Sequence, residues 1–192
     1  MSMASEKYPL VGIVMGSDSD LPIMEHAGRA LAKFDIAHEY GIKSAHRTPE
    51  KMVKYGHEAV ERGLKVIIAG AGGSAHLQGM LASETRLPVL GVAIESSPDG
   101  LNSAFGSMVR MPEGVPLATM GKNQAGAANA GLEAVRILAL SDPILAAQYD
   151  IWAAKQREAV ERKDELLDAV GVEDYLLRMK EVKEGKRESL FD

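Results

Sequence analysis

The chain has 192 residues, 46% hydrophobic and 26% charged, with no cysteine and a formal net charge of −5. That balance describes a globular protein with a sizeable core. The missing cysteines exclude disulfides, thiolate metal sites and cysteine nucleophiles, and an acidic balance without a basic stripe argues against a nucleic-acid partner. No apolar run approaches bilayer length, and the polar start Met1–Pro9 lacks a signal-peptide core, so the expected location is cytoplasmic, with no membrane partner.

Short apolar runs alternate with amphipathic stretches. Leu10–Met15 reads as a buried strand. Leu21–Phe34 has helical spacing, with Ile23, Met24, Ala27, Ala30 and Leu31 on one side. Ile36–Ile42 is a less apolar strand, expected nearer an edge, and Pro49–Arg62 is a helix. Lys65–Ala71 is a third strand that runs into glycines, and His76–Glu84 a short helix. Pro88–Ile94 is a fourth strand, Gly100–Arg110 a helix, Leu117–Met120 a short fifth strand and Asn123–Leu140 a long, Ala-rich helix. Strands without polar alternation are buried on both faces. Their alternation with helices implies βαβ units and a parallel sheet, and right-handed crossovers put helices on both faces. The expected fold is α/β: a flavodoxin-like three-layer sandwich with a five-stranded parallel sheet of order 2-1-3-4-5.

After Pro143 the strand signals stop. Ile144–Val170 and Val172–Val182 read as charge-rich helices, and Lys183–Asp192 as a frayed end. The expected organisation is an α/β domain carrying the chemistry over 9–141, a C-terminal helical extension over 142–183, and flexible termini at 1–8 and 184–192.

In an open parallel sheet, ligands bind beyond the carboxyl ends of the strands at the switch point, which directs attention to three loops. The first is Gly16-Ser17-Asp18-Ser19-Asp20, ahead of a helix with Pro22 in its first turn. Its hydroxyls and the helix start suit an anion, although two aspartates repel one, and plain helix capping explains the same residues. The second is Ser44-Ala45-His46-Arg47-Thr48-Pro49, with Thr48 placed as an N-cap. Arg47 supplies a guanidinium for phosphate, Ser44 a hydroxyl, and His46 a group able to exchange protons near neutral pH. The third runs from Gly70 to Leu77; Gly70, Gly72 and Gly73 suggest exposed backbone N–H groups that could line a carboxylate or phosphate, while a strand-to-helix turn needing positive φ explains the same glycines. It is neither a P-loop nor the dinucleotide fingerprint, because Ala75 stands where GxGxxG needs glycine. His26, His38 and His57 read as structural, and no pair of histidines has metal-site company.

Position by position, these loops resemble the family of N5-carboxyaminoimidazole ribonucleotide mutases, the catalytic-subunit type of phosphoribosylaminoimidazole carboxylase. The matching segments are VMGSDSD (14–20), SAHRTPE (44–50), VIIAGAGGSAHLQGM (66–80), LPVLGV (87–92), MPEGVPLAT (111–119) and AGAANAGLEAVRIL (125–138). The resemblance implies a purine-biosynthesis isomerase that moves a carboxylate from an exocyclic nitrogen to carbon 4 of an aminoimidazole ribonucleotide. It implies a homo-octamer with shared sites, no metal or organic cofactor, and a separate carbamate-forming synthetase as a functional partner. Carried onto this chain, it implies that Ser17, Ser44 and Arg47 hold the 5′-phosphate and Asp20 the ribose hydroxyls. His46 is then the general acid/base, the backbone of Gly72, Gly73 and Ser74 surrounds the carboxylate or carbon dioxide, and His76 and Leu77 help to close the site.

The chain departs from the usual pattern at Gln78 (usually Pro in HLPGM), Ala93, Lys43, Ser74, the run Met120–Gln124 and the stretch Ile94–Gly106. Two other readings stand beside the mutase. The first is direct carboxylation of the aminoimidazole ribonucleotide, a branch that typically carries HKGP and GRSNG-type loops instead of the segments present here. The second is a catalytically silent nucleotide-binding module on the same fold.

Overall fold

A computed structural model describes residues 8–95 and 101–191. The expectation of a flexible start at 1–8 therefore falls, but for Tyr8, outside the described residues. So do Gly100 and the 96–100 portion of the departing stretch. Strands β1 (Val11–Met15), β2 (His38–Ile42), β3 (Val66–Ala71), β4 (Val89–Ala93) and β5 (Ala118–Lys122) are all parallel and stand in the order β2-β1-β3-β4-β5. This is the expected flavodoxin-like α/β sheet. The three central strands are buried along their whole length, while β2 is partly exposed at the edge.

The helices are α1 (Leu21–Ala32), α2 (Pro49–Glu58), α3 (His76–Ser83), α4 (Leu101–Val109), α5 (Asn123–Ala139) and α6 (Pro143–Lys183). Helix α1 packs on α5, and α3 packs on α2 and α4. Val14, Ile67 and Ala69 of the sheet share a buried cluster with Met52 and Tyr55 of α2 and with Leu77 and Leu81 of α3. Each large apolar side chain buried this way stabilises the fold by about 1.5–3 kcal/mol. Helix α5 lies unusually close to α1: a Cβ on Gly131 would stand 2.6 Å from the Ala27 carbonyl oxygen. The small-residue face of α5 is thus used within the chain.

Several helices end earlier than their periodicity suggests. Asp35 adopts a left-handed conformation (φ 54°) and the Ile36 N–H donates to the Leu31 carbonyl, which closes α1 and delays β2 to His38. Gly63 (φ 90°) and the Leu64 N–H bond to Ala59 do the same for the segment after α2. Conversely, β5 runs on to Lys122 past an irregularity opposite Gly91–Ala93.

The contacts divide the chain into two compact units, Met1–Ala146 and Ala147–Asp192. Within α6 the non-helical Gly171 (φ 77°) separates two helical runs, as the sequence suggests. Arg178 donates to the Leu190 carbonyl, and the Arg162 guanidinium stacks over Phe191. No helix is long and apolar enough to cross a membrane among the described residues.

Candidate active site

Beyond the carboxyl ends of β1, β2 and β3 lies a cavity of about 430 Å³. Its walls include Ser17 and Asp20, Ser44 with His46 and Arg47, and Gly72 with His76 and Leu77. Short backbone ties set the three loops side by side. Gly16 N–H donates to the Gly70 carbonyl (3.3 Å), and Lys43 N–H to that of Met15 (2.8 Å). Farther along, Tyr55 of α2 donates to Glu39 of β2 (2.8 Å), and Arg62 pairs with the same carboxylate. Burial and the Glu39 carboxylate push the Tyr55 phenol well above its usual range. This knot fastens α2, which starts directly after the second loop, to the edge strand.

The first loop is a self-contained cap. Ser17 and Asp20 form a capping box around a single 3-10 turn, Asp18–Asp20, with the Ser17 N–H donating to Asp20 Oδ2 at 3.0 Å. Asp20 is buried, and that burial raises its carboxyl above the usual value of 3.8 although the N–H groups of Ser17 and Gly16 oppose the shift. Asp18 is exposed. It accepts the Ser17 hydroxyl at 2.9 Å and the Ser19 N–H at 3.1 Å, which together lower its carboxyl.

In the second loop, Thr48 occupies the N-cap position without capping α2. Its hydroxyl instead accepts the Ser44 N–H (3.0 Å) and donates to the Ser44 carbonyl (3.2 Å), drawing the loop closed. Ser44 Oγ accepts from the Arg47 backbone (3.1 Å) and from Arg47 Nε (3.5 Å), and Arg47 Nη2 donates to the Gly16 carbonyl (3.4 Å). The loop therefore presents a hydroxyl and a guanidinium together, the pairing that suits a phosphate. Lys43 is absent from the cavity wall: its ammonium stands 5.7 Å from the centre of the Tyr55 ring.

The third loop brings the feature that the sequence did not suggest. His46 Nε2 and His76 Nδ1 are 3.0 Å apart, with the rings edge to face. One ring donates and the other accepts, so the contact makes the tautomers of the two rings complementary. His46 lies in the loop after β2 and His76 opens α3 after β3, but β1 separates β2 from β3, and no spacing in the sequence states the distance. Gly72 lines the cavity, whereas Gly73 (φ 58°) and Ser74 are exposed beyond its wall. Ala75, a lining residue, is left-handed (φ 46°) immediately before His76. A non-glycine residue held there costs about 1–2 kcal/mol.

A family model described as AIR carboxylase matches residues 10–159. The N5-carboxyaminoimidazole ribonucleotide mutase of Thermotoga maritima is 48% identical over 169 residues, which cover 88% of this chain and 97% of that protein. The protein of the same name from Mycobacterium tuberculosis is 52% identical over 165 residues, 85% of this chain and 92% of that protein. The phosphoribosylaminoimidazole carboxylase of Candida glabrata is 49% identical over 171 residues, but this chain spans only 30% of its length. The crystal structure of Treponema denticola PurE superposes with a TM-score of 0.73 at 29% identity, covering 82% of this chain and 97% of that one. With a family model over most of its length and relatives about half identical to it, the chain belongs to the AIR carboxylase family.

Proposed function

We propose that this protein is the isomerase of purine biosynthesis that converts N5-carboxyaminoimidazole ribonucleotide into 4-carboxy-5-aminoimidazole ribonucleotide. The observation that carries the reading is the meeting, in one cavity, of a hydroxyl–guanidinium pair (Ser44, Arg47) and a hydrogen-bonded imidazole (His46). Arg47, Ser44 and Ser17 take the 5′-phosphate, and Asp20 the ribose. The remote phosphate supplies binding energy that sets the imidazole ring of the substrate beside His46.

His46 is the general acid/base. It gives a proton to the exocyclic nitrogen as the carbamate C–N bond breaks, releasing carbon dioxide and the free amine. Carbon 4 then attacks the trapped carbon dioxide, and the same imidazole removes the proton from carbon 4, so the proton count closes. The backbone of Gly72 borders the carbon dioxide, with Leu77 behind it, and Gly73 and Ser74, exposed beyond the cavity wall in the single chain, exclude water there once a neighbouring copy covers the turn. His76 orients His46 through their shared hydrogen bond. The reaction needs neither a metal nor an organic cofactor.

The protein works in the cytoplasm as a homo-octamer whose sites are completed by neighbouring copies, and its unstable carbamate substrate comes from a separate synthetase. The domain over 9–141 carries the chemistry, with 142–183 as an appended helical extension. Direct carboxylation is the second reading, favoured by the carboxylase relatives of equal identity. Against it, the segments SAHRTPE and GAGGSAH are those of the mutase pattern.

The test is to assay the purified protein on the N-carboxylated ribonucleotide, with His46→Asn as control. Conversion to the carbon-4 carboxylate, lost in the control, supports the proposal. Turnover only of the uncarboxylated ribonucleotide with bicarbonate moves the protein to the carboxylase branch, and turnover of neither refutes both.

A further inference from the structure

Gln78 is fully buried in the first turns of α3. Its Nε2 donates to the carbonyl of Ala71, the last residue of β3, at 3.3 Å, and to that of Val92 in β4 at 3.0 Å. Both partners are acceptors, so the amide orientation is fixed and both of its hydrogens are spent. The other end of the amide, Oε1, has no hydrogen-bond partner among the described residues although it is buried. A buried acceptor left unpaired is destabilising, and a native structure that keeps one calls for an explanation.

The explanation lies in what the amide joins. Ala71 opens the glycine turn and His76 follows it, so the amide ties the two ends of that turn together. Between them Ala75 is held left-handed, a conformation that persists only where the surroundings over-determine it. His76 is the next residue, and its ring meets His46. We infer that Gln78 is a positioning residue: it clamps α3 to the ends of β3 and β4, holding the turn and so the His76 ring against His46. The predicted effect on turnover rests on the function proposed above, whereas the effect on the ring contact does not.

The experiment compares the full chain with Gln78→Met, a variant of similar volume that lacks both donors and the unpaired oxygen. The ring ¹⁵N signals of His46 are read by NMR, assigned with His46→Asn, and set against those of His76→Phe, in which the hydrogen bond between the rings is absent. The expected result is a folded variant that unfolds in a single cooperative transition. Its His46 signals should move towards those of His76→Phe. Its kcat should fall about tenfold with KM within about twofold, the signature of a misplaced rather than a missing group. Unchanged His46 signals in folded Gln78→Met would overturn the inference. Should that variant not fold, Gln78→Glu keeps the volume and, protonated in the interior, one donor; it should give intermediate signals, and parental signals would again overturn it. If the signals move but the parent itself turns over no N-carboxylated ribonucleotide, the functional reading fails and the positioning role stands.

Discussion

Ser44 and Arg47 are joined twice through one oxygen: Ser44 Oγ accepts both the backbone N–H and the Nε of Arg47. The guanidinium is thereby aimed before any ligand arrives, and little side-chain entropy remains to be lost when an anion binds. Arg47→Ala should weaken a nucleoside 5′-monophosphate by about 100-fold, and Arg47→Lys, which keeps the charge without the fork, by about tenfold. Titration calorimetry reads both values, and the unphosphorylated nucleoside should bind all three proteins alike.

The two histidines should differ in the depth of their effects. His46→Asn removes the group that moves the proton and should lower kcat by about 10²–10⁴-fold with KM little changed. His76→Phe leaves that group present but unoriented and should cost about tenfold. Steady-state kinetics on the N-carboxylated substrate, with circular dichroism to confirm folding, distinguishes the two.

Asp20 gives a pH signature. Burial raises its carboxyl in the folded chain above 3.8, so the folded state holds this proton more tightly than the unfolded one. Its favourable contribution is complete below the unfolded value and is lost as pH rises through the folded value. Asp20→Asn lacks this dependence. The melting temperature of the variant minus that of the parent should therefore grow more positive between about pH 3 and pH 7. A difference that is flat or falls over that range would contradict the assignment.

Gly131→Ala tests the close approach of α5 to α1. The added methyl meets the Ala27 carbonyl oxygen at 2.6 Å and the Ala30 Cβ at 2.7 Å, both on a packed helix with no flexible end to yield. Urea unfolding should show a loss of about 1–3 kcal/mol.

Much of this was readable from residue order because the fold and the loops follow local rules. Unbroken apolar runs such as Val66–Ala71 are recognisable as central strands, and glycines and prolines punctuate the loops that follow them. Helix ends were less readable: Asp35 closes α1 in a left-handed conformation that a sequence advertises clearly only with glycine. Thr48 carries the residue type of an N-cap, but a nearer partner, Ser44, takes its hydroxyl. The meeting of His46 with His76, and the Gln78 amide across two strands, depend on the separation of elements that are distant in sequence. Local pattern carries no such information.

The packing of α1 against α5 also bears on the birth of the protein. The Ala27–Ala30 face of α1 is covered by Gly131, a residue made roughly a hundred positions later. During synthesis at about 5–20 residues per second, that face and the adjoining sheet surface wait several seconds for α5 to emerge. The nascent chain therefore passes through a stage with one layer of its sandwich half uncovered, when it is most exposed to chaperones and to self-association. A ribosome stall placed before α5 should trap that stage, and one placed well after α5 should release a closed domain.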